Sequence, residues 1–139
     1  MERSQRYLRA FGIGVASGMR SMTGPAATRI RAGGAGALVL ALFALGELIL
    51  DKAPGVPPRT RPVTLALRAA TGGFAATRIA EDAAERPTAF ALGALGAVAA
   101  AFLALRLRRA AAGFTGLPDP VIALVEDAAA VSLALAVTA

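Results

Sequence analysis

An uncharged stretch of 18 residues, from Thr88 to Leu105, constrains this chain more than any other feature. As a helix it would be about 27 Å long, which matches the hydrocarbon core of a bilayer. Only 17% of the 139 residues are charged, against about a quarter in an average soluble domain. Aromatic residues make up just 5%, so small aliphatic residues dominate, and the chain is too apolar to be disordered. The sequence therefore predicts one all-α domain over residues 1–139, an integral membrane bundle of thin, closely packed helices.

Four other segments have the length of a span but carry charges or a break. They are Gln5–Arg20, Ala32–Lys52, Pro62–Ala80 and Pro120–Thr138. The first is short, and the run from Gly18 to Pro25 predicts a break or kink, with a second partial helix through Arg31. A secretory signal peptide is the alternative interpretation of this start, but Arg20 and the apolar spans downstream favour a retained first helix. About five spans follow.

The distribution of Arg decides what the net charge of +6 means. With a cytoplasmic N-terminus, nine basic residues fall inside and four outside, leaving aside two arginines within spans. The inside set is Arg3, Arg6, Arg9, Lys52, Arg59, Arg61, Arg106, Arg108 and Arg109; outside are Arg29, Arg31, Arg78 and Arg86, with acidic Glu81, Asp82 and Glu85. The positive-inside rule then predicts that the N-terminus lies inside and the C-terminus outside. The basic residues lack nearby aromatic stacking partners, so nucleic acid is not an expected partner.

Two short internal echoes indicate different repeats. Residues 43–47 (FALGE) resemble residues 122–126 (IALVE), and one helix between two helix pairs is the layout of an inverted-topology repeat. Residues 24–30 (GPAATRI) also resemble residues 73–79 (GFAATRI), in the same direction along the chain. The two echoes do not fit one scheme, so both stay open.

Small residues recur at helical spacing on two spans. On the first span they are Gly14 and Gly18; on the fourth they are Ala89, Gly93, Ala97 and Ala101. Such faces let helix backbones approach closely in lipid. The two stripes predict packing within the chain, and because five thin helices enclose little space, a homodimer is a further expectation.

Ionisable side chains within the spans are the candidate functional residues. Each costs about 2.5–3.5 kcal/mol to insert, so such groups normally face a cavity, a partner charge or the interface. Glu47 has Asp51 one turn later on the same face, whereas Glu126 and Asp127 point about 100° apart and should have different partners. Arg20, in the Gly-rich break, is the obvious counter-charge. These five residues are predicted to bind an ion or small solute; the alternative is a buried ion pair of Arg20 with Glu126 or Glu47 that only joins helices.

Several catalytic classes lack their residues. The chain has no Cys and no His, which removes disulfides, thiolates, zinc sites and imidazole bases. Ser21 and Thr23 therefore have no triad partner, and the glycines at positions 33–36 lack the Lys-Ser/Thr of a phosphate loop. We expect no enzyme activity, no metal and no cofactor.

Three blocks of sequence carry a family resemblance. They are residues 18–22 (GMRSM), residues 45–60 with their acidic, proline and basic positions, and residues 117–120 (LPDP) with the acidic pair 126–127. Together they resemble a bacterial membrane-protein family known as domain of unknown function 4126, although the connection over residues 29–36 is shorter here. The resemblance implies a small multi-pass inner-membrane protein, and it brings no activity, ligand or catalytic residue.

Two functions from different classes remain. The leading hypothesis is a dimeric transporter or channel for a cation or small solute, in which Glu47 and Glu126 form the coupling site and Arg20 balances them. The competing hypothesis is a non-transporting scaffold or accessory subunit whose buried charges only pair helices. A water-accessible site would favour transport, whereas dry ion pairs in a closed core would favour the scaffold.

Overall fold

A computed structural model describes residues 2–34, 36–38, 40, 42, 45–46 and 61–139 of the protein. Its helices include α1 (Arg3–Met19), α2 (Thr23–Ala32), α3 (Pro62–Thr77), α4 (Arg86–Thr115) and α5 (Asp119–Thr138), with a 3-10 turn at Ala83–Glu85 before α4. All regular structure in these ranges is helical, which confirms the all-α prediction for them. The predicted second span and the FALGE segment fall mostly outside the described residues.

The predicted break in the first span is confirmed. Arg20 is extended, with φ −144° and ψ 117°, although its N–H still bonds to the carbonyl of Ala16 at 2.9 Å. The partial helix α2 follows directly and ends at Gly33, whose φ of +73° favours glycine. Gly24 lies tightly against Ser17, so α2 turns back along α1 instead of continuing it.

Helix α1 lies at the centre of the bundle and is parallel to α4. Gly14 faces Gly93, and one turn later Gly18 faces Ala97. A Cβ atom at Gly14 or Gly18 would overlap the facing backbone carbonyl, so this contact requires glycine. The two small-residue stripes predicted from the sequence therefore pack on each other within one chain.

Helices α3 and α5 run antiparallel to α1. Along α5, Asp127 meets Arg20 and Val137 meets Gly12. The C-terminal end of α5 therefore points towards the end of the bundle where α1 begins. The predicted arrangement with the two termini on opposite sides is not supported.

The acidic loop after α3 lies beside the start of α1. Arg3 Nε is 3.1 Å from Glu85 Oε1, Arg6 Nη2 is 2.9 Å from the same oxygen, and Arg6 Nη1 is 3.0 Å from Glu81 Oε2. The charge distribution had placed these arginines inside and the acidic loop outside. That placement is wrong, because these arginines and the acidic loop contact each other at one end of the bundle.

The described part is packed with small side chains inside and large ones outside. Its buried hydrophobic residues are Ile13 and fourteen alanines. Large apolar side chains are exposed along every helix, among them Leu8, Val63, Leu95, Phe114 and Val125. A bundle in water would bury the large residues first, so this distribution is the one expected for helices that face lipid.

Two helices in the described ranges are long and apolar enough to cross a membrane. They are Ala83–Thr115, which includes the 3-10 turn, and Pro120–Thr138. Helices α1, α2 and α3 have 17, 10 and 16 residues, and Arg20 and Arg68 interrupt the apolar pattern. The predicted bundle of five spans is therefore not supported by the helices described.

Candidate functional site

Of the five residues predicted to bind an ion or solute, three can be placed. Arg20, Glu126 and Asp127 are described, whereas Glu47 and Asp51 lie outside the described residues. The predicted meeting of Glu47 with Glu126 therefore also lies outside the described residues. Arg20 lies in the break between α1 and α2, and Asp127 pairs with it.

Arg20 and Asp127 form a buried ion pair that joins the end of α1 to α5. Arg20 is 1% exposed and Asp127 is 7% exposed. Arg20 Nε donates to Asp127 Oδ1 at 2.6 Å, and Arg20 Nη2 donates to the same oxygen. The extended backbone of Arg20 places its side chain across the bundle, where it meets Asp127 of α5. Among the described contacts Arg20 pairs with Asp127, whereas the sequence had put forward Glu126 or Glu47; Glu47 lies outside the described residues.

Glu126 lies beside a different arginine. Its Oε2 is 3.7 Å from Arg108 Nη1, and the Glu126 side chain is 9% exposed. Because successive residues of a helix point about 100° apart, Glu126 and Asp127 reach different neighbours, as predicted. Arg108 had been counted only as a loop charge.

A third arginine was missed by sequence reasoning. Arg68 on α3 is buried, and its Nη1 donates to the carbonyl of Gly18 at 2.8 Å. Gly18 is in the last turn of α1, where carbonyls lack the N–H of a following turn, so Arg68 supplies a donor there. The sequence did contain a signal for this role, because inserting an arginine into an apolar span costs free energy and therefore implies a partner.

We call the polar side chains buried around the break the helix-break cluster. Its members are Ser17, Arg20, Ser21, Thr23, Arg68 and Asp127. Within this cluster Arg20 pairs with Asp127 and Arg68 donates to a helix carbonyl. The cluster can hold α1, α3 and α5 together, and its burial leaves little access for a hydrated ion.

A cavity of about 620 Å³, which we call the basic cavity, lies between the C-terminal halves of α2 and α3. It is lined by Pro25, Thr28, Arg29, Ala32, Gly36, Leu40, Phe74 and Arg78. Arg78 lies over the ring of Phe74, with its Cζ atom 5.0 Å from the ring centroid. A neighbouring cavity of about 390 Å³ shares Phe74 and Arg78 and adds Arg86. Neither lining includes Arg20, Glu126 or Asp127.

The start of α1 and the turn before α4 carry an electrostatic cluster of their own. Glu85 accepts hydrogen bonds from Arg6 at 2.9 and 3.0 Å and from Arg3 at 3.1 Å. Glu85 precedes the apolar part of α4. The hydrogen bonding from Arg6, helped by the positive charges, lowers the pKa of Glu85 below its ordinary value.

No family model, curated protein or solved structure matches the chain. The resemblance to the family of unknown function therefore stays a prediction.

Proposed function

We propose that the protein is a small multi-pass helical protein of the bacterial inner membrane that serves as a scaffold or accessory subunit and does not transport. The observation that carries this proposal is the buried pair of Arg20 and Asp127. Both groups join α1 to α5, and their burial separates them from a mobile hydrated ion. A buried pair of this kind fixes one arrangement of helices.

The membrane location is supported by the inside-out packing. Two helices have the length and apolar composition of spans, and only 39% and 22% of their apolar windows are buried within the described part. The remaining surface of those windows is therefore available to lipid. The family resemblance supports the inner membrane and the multi-pass architecture, with about five spans as the proposal when the second predicted span is included.

Transport is the competing proposal, with Glu47 and Glu126 as carboxylates that bind a cation. The basic lining of the cavities does not favour a cation, and Glu126 lies against Arg108. A homodimer also stays a proposal, supported by large exposed apolar side chains such as Leu95 and Phe114. Native mass spectrometry from detergent would measure the number of chains.

The test of the main proposal is flux through vesicles that contain the purified full chain. Proton, sodium, potassium and chloride movement is followed with entrapped dyes, and vesicles without protein set the background. We expect wild-type rates at background. A rate well above background that Glu126→Gln abolishes, with the variant still folded by circular dichroism, would show that the carboxylate conducts and that the scaffold proposal is wrong.

A further inference from the structure

The basic cavity is built from two copies of one sequence pattern. The echo at residues 24–30 ends α2, and its counterpart at residues 73–79 ends α3. Thr28 and Arg29 of the first copy line the basic cavity together with Arg78 of the second, while Thr77 lines the adjoining cavity. Helix packing therefore brings equivalent positions of the two copies to one place.

The hydroxyl groups of Thr28 and Thr77 already donate hydrogen bonds, so the arginines are the donors available to a ligand in the cavity. Thr28 Oγ1 is 3.0 Å from the carbonyl of Pro25, and Thr77 Oγ1 is 2.7 Å from the carbonyl of Phe74. Both hydroxyl protons are thus donated within their own helices. A guest in the basic cavity would meet guanidinium groups as its charged partners.

No carboxylate of the described residues forms an ion pair with the arginines at this place. Among the described residues, no ion pair joins an acidic side chain to Arg29, Arg78 or Arg86. The acidic loop close by is engaged instead, because Glu81 and Glu85 pair with the arginines of α1. The cavity is therefore a positively charged space at one end of the bundle.

The remaining walls of the cavity are apolar. Pro25, Leu40 and Phe74 are among the apolar lining residues, and the ring of Phe74 lies under the guanidinium of Arg78. The planar fork of Arg matches the oxygen atoms of phosphate and can bind them in a bidentate manner. A volume of about 620 Å³ falls within the usual range of small-molecule sites.

We propose that the basic cavity binds a phosphate-bearing anion through Arg29 and Arg78, with its apolar walls covering the part of the ligand next to the phosphate. This goes beyond the scaffold role, since it assigns a ligand site to the end of the bundle. The shared chemistry is a phosphate group, which an anionic lipid headgroup or a free phosphate could supply. Basic pockets between helices are known to bind lipid phosphates in this way.

The experiment uses the full chain in a non-ionic detergent, titrated in separate arms with phosphatidylglycerol, phosphatidylcholine and inorganic phosphate. Bound lipid is counted by native mass spectrometry, and the shift of the unfolding midpoint reports phosphate. The test variant is Arg29→Gln with Arg78→Gln. The matched control is Arg106→Gln with Arg109→Gln, two exposed arginines near the other end of α4 that remove the same charge.

We expect phosphatidylglycerol to bind more tightly than phosphatidylcholine, and the Arg29/Arg78 variant to lose about 10-fold or more in affinity, as expected for charged hydrogen bonds. The control should stay within about 2-fold of wild type, because exposed charges far from a site contribute little. Binding of phosphatidylglycerol without inorganic phosphate identifies a lipid headgroup; binding of both identifies a general phosphate site.

Equal losses in the test and control variants would overturn the proposal, since they would reflect net charge alone. Equal binding of the two lipids, or unchanged affinity in the test variant, would overturn it as well. Because Arg29 and Arg78 are exposed and far from the Arg20–Asp127 pair, the test variant should fold. The outcome is therefore independent of the flux experiment that tests the scaffold.

Discussion

Neutralising Asp127 should destabilise the bundle through the charge left on Arg20. Asn has nearly the shape of Asp and keeps one acceptor oxygen, so Asp127→Asn creates no cavity. It removes the counter-charge that Asp127 supplies to a guanidinium that is 1% exposed. Removing one partner of a buried pair typically costs about 3–5 kcal/mol, and the retained acceptor places this variant near 3 kcal/mol. That corresponds to a change of about 150-fold in the unfolding equilibrium.

The double variant Arg20→Met with Asp127→Leu separates the charge from the packing. Replacing both partners by apolar side chains is often neutral, so we expect its stability within about 1 kcal/mol of wild type. The assay is unfolding of the full chain in mixed micelles by increasing dodecyl sulfate. Far-UV circular dichroism is the signal, since the chain has no Trp.

Asp82→Asn is the control for this cycle, because it removes the same charge from an exposed loop position. Exposed substitutions of this kind normally change stability by less than about 0.5 kcal/mol. A loss in Asp127→Asn no larger than in the control would refute the reasoning that the pair is dry. A double variant as unstable as the single one would show that packing, not charge, is responsible.

Three further predictions concern packing, topology and pH. Gly93→Ala should cost about 1–3 kcal/mol or more in the same micelle assay, because its Cβ would overlap backbone, whereas Gly113→Ala, which has open space, should not destabilise. In this Cys-free chain, an impermeant maleimide should label Ser4→Cys and Asp82→Cys from the same side and Gly113→Cys from the other; opposite sides for the first two would contradict the turn after α1. The lowered pKa of Glu85 means that its ion pairs stabilise the fold above the pKa of the unfolded chain, about 4.3. This stabilisation should be lost as the pH falls through the pKa of the folded state. Glu85→Gln should remove this part of the pH dependence of unfolding and leave the rest unchanged.

Local features of the bundle were readable from the sequence. The Gly- and Pro-containing run predicted the break at Arg20, because these residues disfavour a continuous helix. The spacing of small residues predicted that Gly14 and Gly18 would lie on a close-packed face. The angle between successive helical residues predicted separate partners for Glu126 and Asp127. Each of these depends only on helix geometry over a few residues.

Long-range placement was not readable in the same way. Hydropathy identifies an apolar helix but does not say whether the chain after a break runs on or turns back, so the side of the acidic loop was assigned wrongly. The partner of Arg20 depends on how α5 is rotated, and either of two adjacent carboxylates satisfied the pattern. The echo ending in Arg29 and Arg78 was visible, yet its meaning required the packing of α2 beside α3.

The glycine contacts between α1 and α4 also determine which substitutions the chain can accept during evolution. Facing backbones at Gly14 and Gly93 leave no volume for an added methyl group, so the interior positions are confined to the smallest residues. The outward positions, such as Leu95 and Val125, are exposed and should exchange among Leu, Ile, Val and Phe at little cost. A mutational scan of this protein should therefore show the opposite pattern to that of a water-soluble domain. Positions with the smallest side chains should tolerate the fewest substitutions, and positions with the largest side chains should tolerate the most.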